Sequence, residues 1–131
     1  MARYLLDADT VSYALRGQGQ VAARVLRHPP SEVCISAVTL AELRFGAERR
    51  NSQALRRAIR AFVHEVAVVP FDAAAAERFA AVATALASRG TPIGVLDTMV
   101  AAQALSLGLT VVTNNTRHFS QVQGLRVENW S

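Results

Sequence analysis

Short apolar runs alternate along this chain with longer segments of helical periodicity, and that alternation constrains the fold more than any other feature. Runs from Arg3 to Leu6, Val33 to Ser36, Val66 to Val69 and Leu109 to Thr113 read as strands, and Gly124 to Val127 as a last edge strand. Helices are predicted from about Thr10 to Arg16, where Gly17 stops the first, and from Gln20 to Arg27, where Pro29-Pro30 closes the second. Further helices are predicted from Thr39 to Arg50, from Asn51-Ser52 to His64, from Asp72 to Ser88 and from Leu96 to Leu107, the last ending at Gly108. Asn114 to Ser120 reads as a turn or a short helix. Strands separated by helices cannot pair as hairpins, so they imply a parallel sheet covered on both faces. The expected architecture is α/β, a three-layer α/β/α domain with a central parallel sheet spanning residues 1–131.

Composition supports a packed core. Hydrophobic residues make up 51% of the 131 and charged residues only 18%, which argues against disorder. No apolar run reaches the ~18 residues that a membrane helix needs, and no signal-peptide pattern opens the chain. The single Cys34 lies in a strand-like run, where a small core residue fits, and it excludes an internal disulfide or a cysteine-based zinc site. The expected location is the cytoplasm, with no membrane partner.

With four aspartates and six glutamates in the chain, the placement of each acid is informative. Asp7 directly follows the first strand, Glu42 sits in Leu40-Ala41-Glu42-Leu43-Arg44-Phe45-Gly46, and Asp97 ends Pro92-Ile93-Gly94-Val95-Leu96-Asp97. Each has an ordinary explanation. Asp7 could cap the helix that begins near Asp9, Glu42 could complete a capping box with Thr39, and Asp97 could answer a helix dipole. Yet all three fall near the C-terminal ends of strands or in the first turn of a following helix, and a parallel sheet gathers those ends on one rim. Carboxylates brought together there would repel unless a cation neutralised them. Oxygen donors suit magnesium or manganese. His28, His64 and His118 lack the spacing of zinc ligands, and no glycine-rich phosphate loop is present.

The basic residues are unusual: all fourteen are arginine. A GC-rich coding sequence would be the ordinary explanation of that choice; the charge is also clumped, with Arg44, Arg49, Arg50, Arg56, Arg57 and Arg60 close together in a segment that reads as an amphipathic helix pair. Such a face suits an RNA backbone or an acidic protein, and it could equally be a solvated helix surface.

Asp7, the segment around Glu42 and the segment ending in Asp97 together resemble the PIN-domain ribonucleases, and within them the VapC-type toxins of toxin–antitoxin modules. Ala101-Ala102-Gln103-Ala104, the run Val112-Thr113-Asn114-Asn115-Thr116-Arg117-His118-Phe119 and the closing Val127-Glu128-Asn129-Trp130 resemble the same group, so the likeness spans nearly the whole chain. The resemblance implies a single PIN domain and a metal-dependent endoribonuclease, with Asp7, Glu42 and Asp97 as catalytic ligands for magnesium or manganese. Beside these ligands, Asn115 is a supporting candidate, Asp9 either caps the first helix or touches a metal through water, and Thr113 either lines the same rim or is an ordinary β-branched strand residue; Arg44, Arg49 and Arg50 of the crowded basic face are candidates for contact with RNA or antitoxin. The resemblance further implies a homodimer held silent by a VapB-type antitoxin, and a structured RNA substrate, initiator tRNA being the notable case.

One departure stands out. Many relatives carry a fourth acid after the last long strand, where this chain has Asn115 and His118; an amide oxygen can ligate or orient water but brings no charge, so weaker occupancy of any second metal is expected. The departure also keeps a second reading open, a PIN-fold domain that binds RNA or a partner with a weakened site. Leu6-Asp7-Ala8-Asp9-Thr10 resembles the aspartyl-phosphate signature of haloacid-dehalogenase-like phosphatases as well. That family also needs a downstream lysine, or occasionally an arginine, and an adjacent acid pair; this chain has no lysine and no such pair.

Overall fold

A computed structural model describes residues 1–131. Strand β1 (Tyr4–Leu6) leads into α1 (Ala8–Leu15) and α2 (Val21–Leu26), and a single 3-10 turn at Pro30–Glu32 precedes β2 (Val33–Ser36). Next come α3 (Ala37–Arg50), α4 (Gln53–Glu65), β3 (Ala67–Val69), α5 (Ala73–Ser88) and α6 (Val95–Leu107). β4 (Thr110–Val112), α7 (Thr116–Phe119) and β5 (Val127–Glu128) complete the order. The five strands form one sheet in the order β3-β2-β1-β4-β5, and every pairing is parallel. The strand ladder places Leu6 beside Ile35 on one side and Val112 on the other.

Side chains alternate across the sheet with period two, and each set meets its own helices. Leu5, Cys34 and Val111 face α5, α6 and α7, packing with Val82, Leu86, Val100 and Phe119. Tyr4, Leu6, Val33, Ile35 and Val112 face the opposite side, against Val11 of α1, Leu43 of α3, Ile59 of α4 and Trp130. The expected three layers are therefore present, with β1 buried at the centre. No helix is long and apolar enough to cross a membrane.

Two helix starts differ from the sequence reading, both for the same reason. Helices α1 and α3 begin immediately after a strand, so the last extended residue doubles as the cap. Asp7 caps α1, accepting from Thr10 N–H at 3.2 Å as one of its two readings allowed, so the helix starts at Ala8 rather than near Thr10 and Asp9 lies in its first turn. Ser36 caps α3, accepting from Val38 N–H at 3.0 Å. Thr39 is thus inside the helix with its hydroxyl buried and unpartnered, and the expected capping box with Glu42 does not form. Glu42 is left without a helix-capping task. Asp72 and Ser52 cap α5 and α4 as their sequence positions suggest.

Candidate active site

The strand order reverses direction beside β1, whose neighbours β2 and β4 come from opposite halves of the chain. Parallel sheets open a crevice at such a switch point, at the carboxyl ends of the strands. Asp7 follows β1 into that crevice and Thr113 follows β4. The Thr113 hydroxyl donates to Asp7 Oδ2 at 2.5 Å, and Asn115 N–H donates to the same hydroxyl at 2.9 Å. Thr113 N–H in turn donates to the carbonyl of Glu128 at 2.9 Å. Both Asp7 carboxylate oxygens are thereby held, one by Thr10 and one by Thr113, with Asp7 only 6% exposed.

Asp97 enters from the first turn of α6. Gly94 starts that helix at φ +93, a backbone conformation that side chains disfavour, and its carbonyl accepts from Thr98 N–H. Across the crevice, His118 Nδ1 stands 3.1 Å from Asp97 Oδ2 and 2.8 Å from the Asn115 side-chain amide. Glu42 projects from the second turn of α3, half-buried, and Asp9 from the first turn of α1.

The acids act on one another. Burial, then the neighbouring Asp9 side chain, pushes the Asp7 carboxyl up to about 8, against the lowering effect of its bonds from Thr113 and Thr10. Burial together with the charges of Asp97 and Asp9 also raises Glu42. The four carboxylates thus share one field although they come from three helices and a strand end. No three His, Cys, Asp or Glu side chains are grouped tightly enough to hold an ion as they stand; uncompensated carboxylates keep their distance. The donor set still fits a hard divalent cation. It is rich in carboxylate oxygen, and Asp9 Oδ1 is buried with no hydrogen-bond partner.

From Asp9 and Glu42 a groove of about 730 Å³ runs between α1, α3 and α4. Leu15, Leu43 and Leu55 give it apolar walls, and Arg16, Arg49 and Arg50 line it as well. Two of the three arginines singled out from the sequence therefore line the same groove as Asp9 and Glu42. Arg44 is exposed on α3 and is not among the lining residues. Arg16 was missed: it lies far from the arginine-rich segment in sequence, and only the packing of α1 against α3 brings it there. From sequence His118 reads only as an unsuitable zinc ligand at the place of a missing acid, and its contact with Asp97 needs the folded crevice.

The PIN domain family matches residues 4–125. The tRNA(fMet)-specific endonuclease VapC of Shigella flexneri is 38% identical over the full length of both chains. The enzyme of the same name from Salmonella typhimurium is 34% identical over 99% of each chain. A crystal structure of DNA-bound VapBC from Salmonella typhimurium superposes with a TM-score of 0.90, at 35% identity and with both chains fully covered. The crevice at the switch point, the arginine-lined groove and these likenesses lead to one conclusion: the chain belongs to the PIN-domain family and, within it, to the VapC ribonucleases.

Proposed function

We propose that this chain is a toxin that cuts a structured RNA, initiator tRNA being the leading candidate, by divalent-metal-dependent hydrolysis of a phosphodiester bond in the cytoplasm. One observation carries the reading: Asp7, Asp9, Glu42 and Asp97 are linked through a shared electrostatic field near the switch point of a parallel sheet, and Asp9 and Glu42 line a groove that arginines also line. The specific substrate is supported by the two relatives named as tRNA(fMet)-specific endonucleases.

Asp7, Glu42 and Asp97 would hold the ion, magnesium or manganese, with Asp9 close by. Bound there, it supplies positive charge against the phosphate and makes water a usable nucleophile. The rest falls to the chain itself. Thr113 and Thr10 fix both oxygens of Asp7, so the carboxylate has no freedom to swing when substrate arrives. Asn115 N–H locks the Thr113 hydroxyl into the donating role that Asp7 needs. Arg16, Arg49 and Arg50 offer guanidinium forks to flanking phosphates, and Arg44 extends the positive surface along α3. The same groove suits an acidic or arginine-bearing antitoxin segment, so a VapB-type partner would silence the protein by occupying it. The homodimer expected from the resemblance belongs to this proposal as well.

Induction in cells lacking the antitoxin, followed by mapping of RNA ends, tests the reading. A single class of new ends in initiator tRNA is expected from the wild type. Asp97→Asn or Glu42→Gln should lower cleavage by about a hundredfold or more, the scale of losing a directly acting group. Undiminished cleavage by both variants would remove the carboxylate site from the mechanism.

A further inference from the structure

We propose that Asp97 Oδ2, His118 Nδ1 and the side-chain oxygen of Asn115 form a cation subsite that favours a transition ion of the manganese, cobalt or nickel class over magnesium. The inference rests on the metal-dependent reading above and assigns one corner of that site a chemistry of its own.

The hydrogens around His118 Nδ1 do not pair off. His118 Nδ1 lies 3.1 Å from Asp97 Oδ2 and 2.8 Å from the Asn115 amide nitrogen. If Nδ1 carries a proton it donates to Asp97 but meets an NH2 group that also donates. If Nδ1 is bare it accepts from Asn115 but sets its lone pair against a carboxylate. Neither arrangement satisfies all three groups. Turning the Asn115 amide exchanges its oxygen and nitrogen at nearly unchanged positions. Three lone-pair atoms then converge: a carboxylate oxygen, an imidazole nitrogen and an amide oxygen. One shared proton answers only part of that convergence, whereas a divalent cation answers all of it.

The spacing agrees. Neighbouring ligands of an octahedral ion with bonds of about 2.1 Å stand about 3.0 Å apart, and the two observed separations bracket that value. The side chains of Asp97 and His118 are 29% and 46% exposed, so water or a phosphate oxygen can complete the sphere. His118 is also well supported. It lies in α7 next to Phe119, which is fully buried, and its backbone N–H donates to the Asn115 carbonyl at 3.2 Å.

The donor set decides which ion. Magnesium asks for oxygen and charge, and it finds both on the Asp7, Asp9 and Glu42 side of the crevice. The Asp97 corner offers one charge and a nitrogen, and imidazole favours manganese, cobalt and nickel over magnesium, with affinity rising in that order. His118 is on this account a residue that sets metal preference.

Purified wild-type protein loaded with manganese would be examined by electron spin-echo envelope modulation, alongside calorimetric titrations with cobalt and magnesium. Modulation from a coordinated nitrogen is expected in the wild type and should vanish in His118→Glu while manganese still binds. The preference for cobalt over magnesium should fall by about tenfold or more in that variant, since even an outer-shell partner is worth roughly tenfold in affinity. Asn115→Ala should weaken cobalt binding in the same direction. Manganese bound without nitrogen modulation, or with modulation that survives in His118→Glu, overturns the subsite and leaves the proposed function standing. Failure of the wild type to bind any divalent cation overturns both.

Discussion

Asp7 carries two duties that conflict. As the cap of α1 it is stabilising in either protonation state, because Oδ1 accepts from Thr10 N–H in both. As a buried acid beside Asp9 it resists ionising, with its carboxyl pushed up to about 8. Between the unfolded value near 4 and that folded value, the native state binds more protons than the unfolded chain, so stability must fall as pH rises through this window. Asp7→Asn keeps the cap and removes the charge. In chelator-treated protein its melting temperature should exceed that of the wild type by several degrees at pH 8, and the gain should shrink towards pH 4. Magnesium should reverse the order at pH 8, because the variant lacks one of the carboxylates that would hold the ion. A scanning-calorimetry series in pH would show this; a difference that does not vary with pH would contradict the assignment. The sequence placed Asp7, Glu42 and Asp97 at the rim because strand ends and helix starts are local signals. It could not show that Asp9 presses on Asp7, or that His118 reaches Asp97 across 21 positions, since side-chain partnership at that range exists only after folding.

At the level of elements, positions depend on how a helix is launched. β2 and the ends of α3 and α5 were legible because a β-branched run, the Asn51-Ser52 break and the Arg89-Gly90 turn act within a few residues. The starts of α1 and α3 were displaced because a strand-end residue can serve as the cap with no intervening loop. Gly94 offers a clear test of this positioning. It launches α6 at φ +93 with nothing within 4 Å of a would-be Cβ, so a side chain there meets backbone strain and no clash. Gly94→Ala should cost about 1–3 kcal/mol and should lower cleavage as well, because Asp97 sits three residues on. Equilibrium urea unfolding and a cleavage assay on the same preparation separate the two effects. Loss of stability without loss of cleavage would show that α6 keeps its first turn in place by other means.

Across the whole molecule, the sheet joins segments that are remote in sequence. β1 lies between β2 and β4, and Trp130 packs back on its first residue, edge-on to Tyr4 at 4.9 Å and stacked on His28 at 4.7 Å. Its indole N–H donates to Glu128 at 2.9 Å, and it is only 1% exposed. Trp130→Ala should therefore cost about 3–5 kcal/mol, read from urea unfolding, although it stands at the amino end of β1, away from the crevice. A cost near zero would mean that the aromatic stack is ornamental. The alternation of elements made the three layers legible in sequence. The order in which the strands sit, and hence the identity of the crevice, depends on such long-range closures.

The bond from Thr113 to the carbonyl of Glu128 has a consequence in time. The hydroxyl that holds Asp7 belongs to a residue whose own backbone is fixed by β5, so the crevice is finished only after residue 128 has been synthesised. At about 5–20 residues per second, that leaves on the order of ten seconds in which the nascent chain has its first acids but not its completed site. Asp7 is thus placed early in synthesis and steadied late, by way of a strand far along the chain.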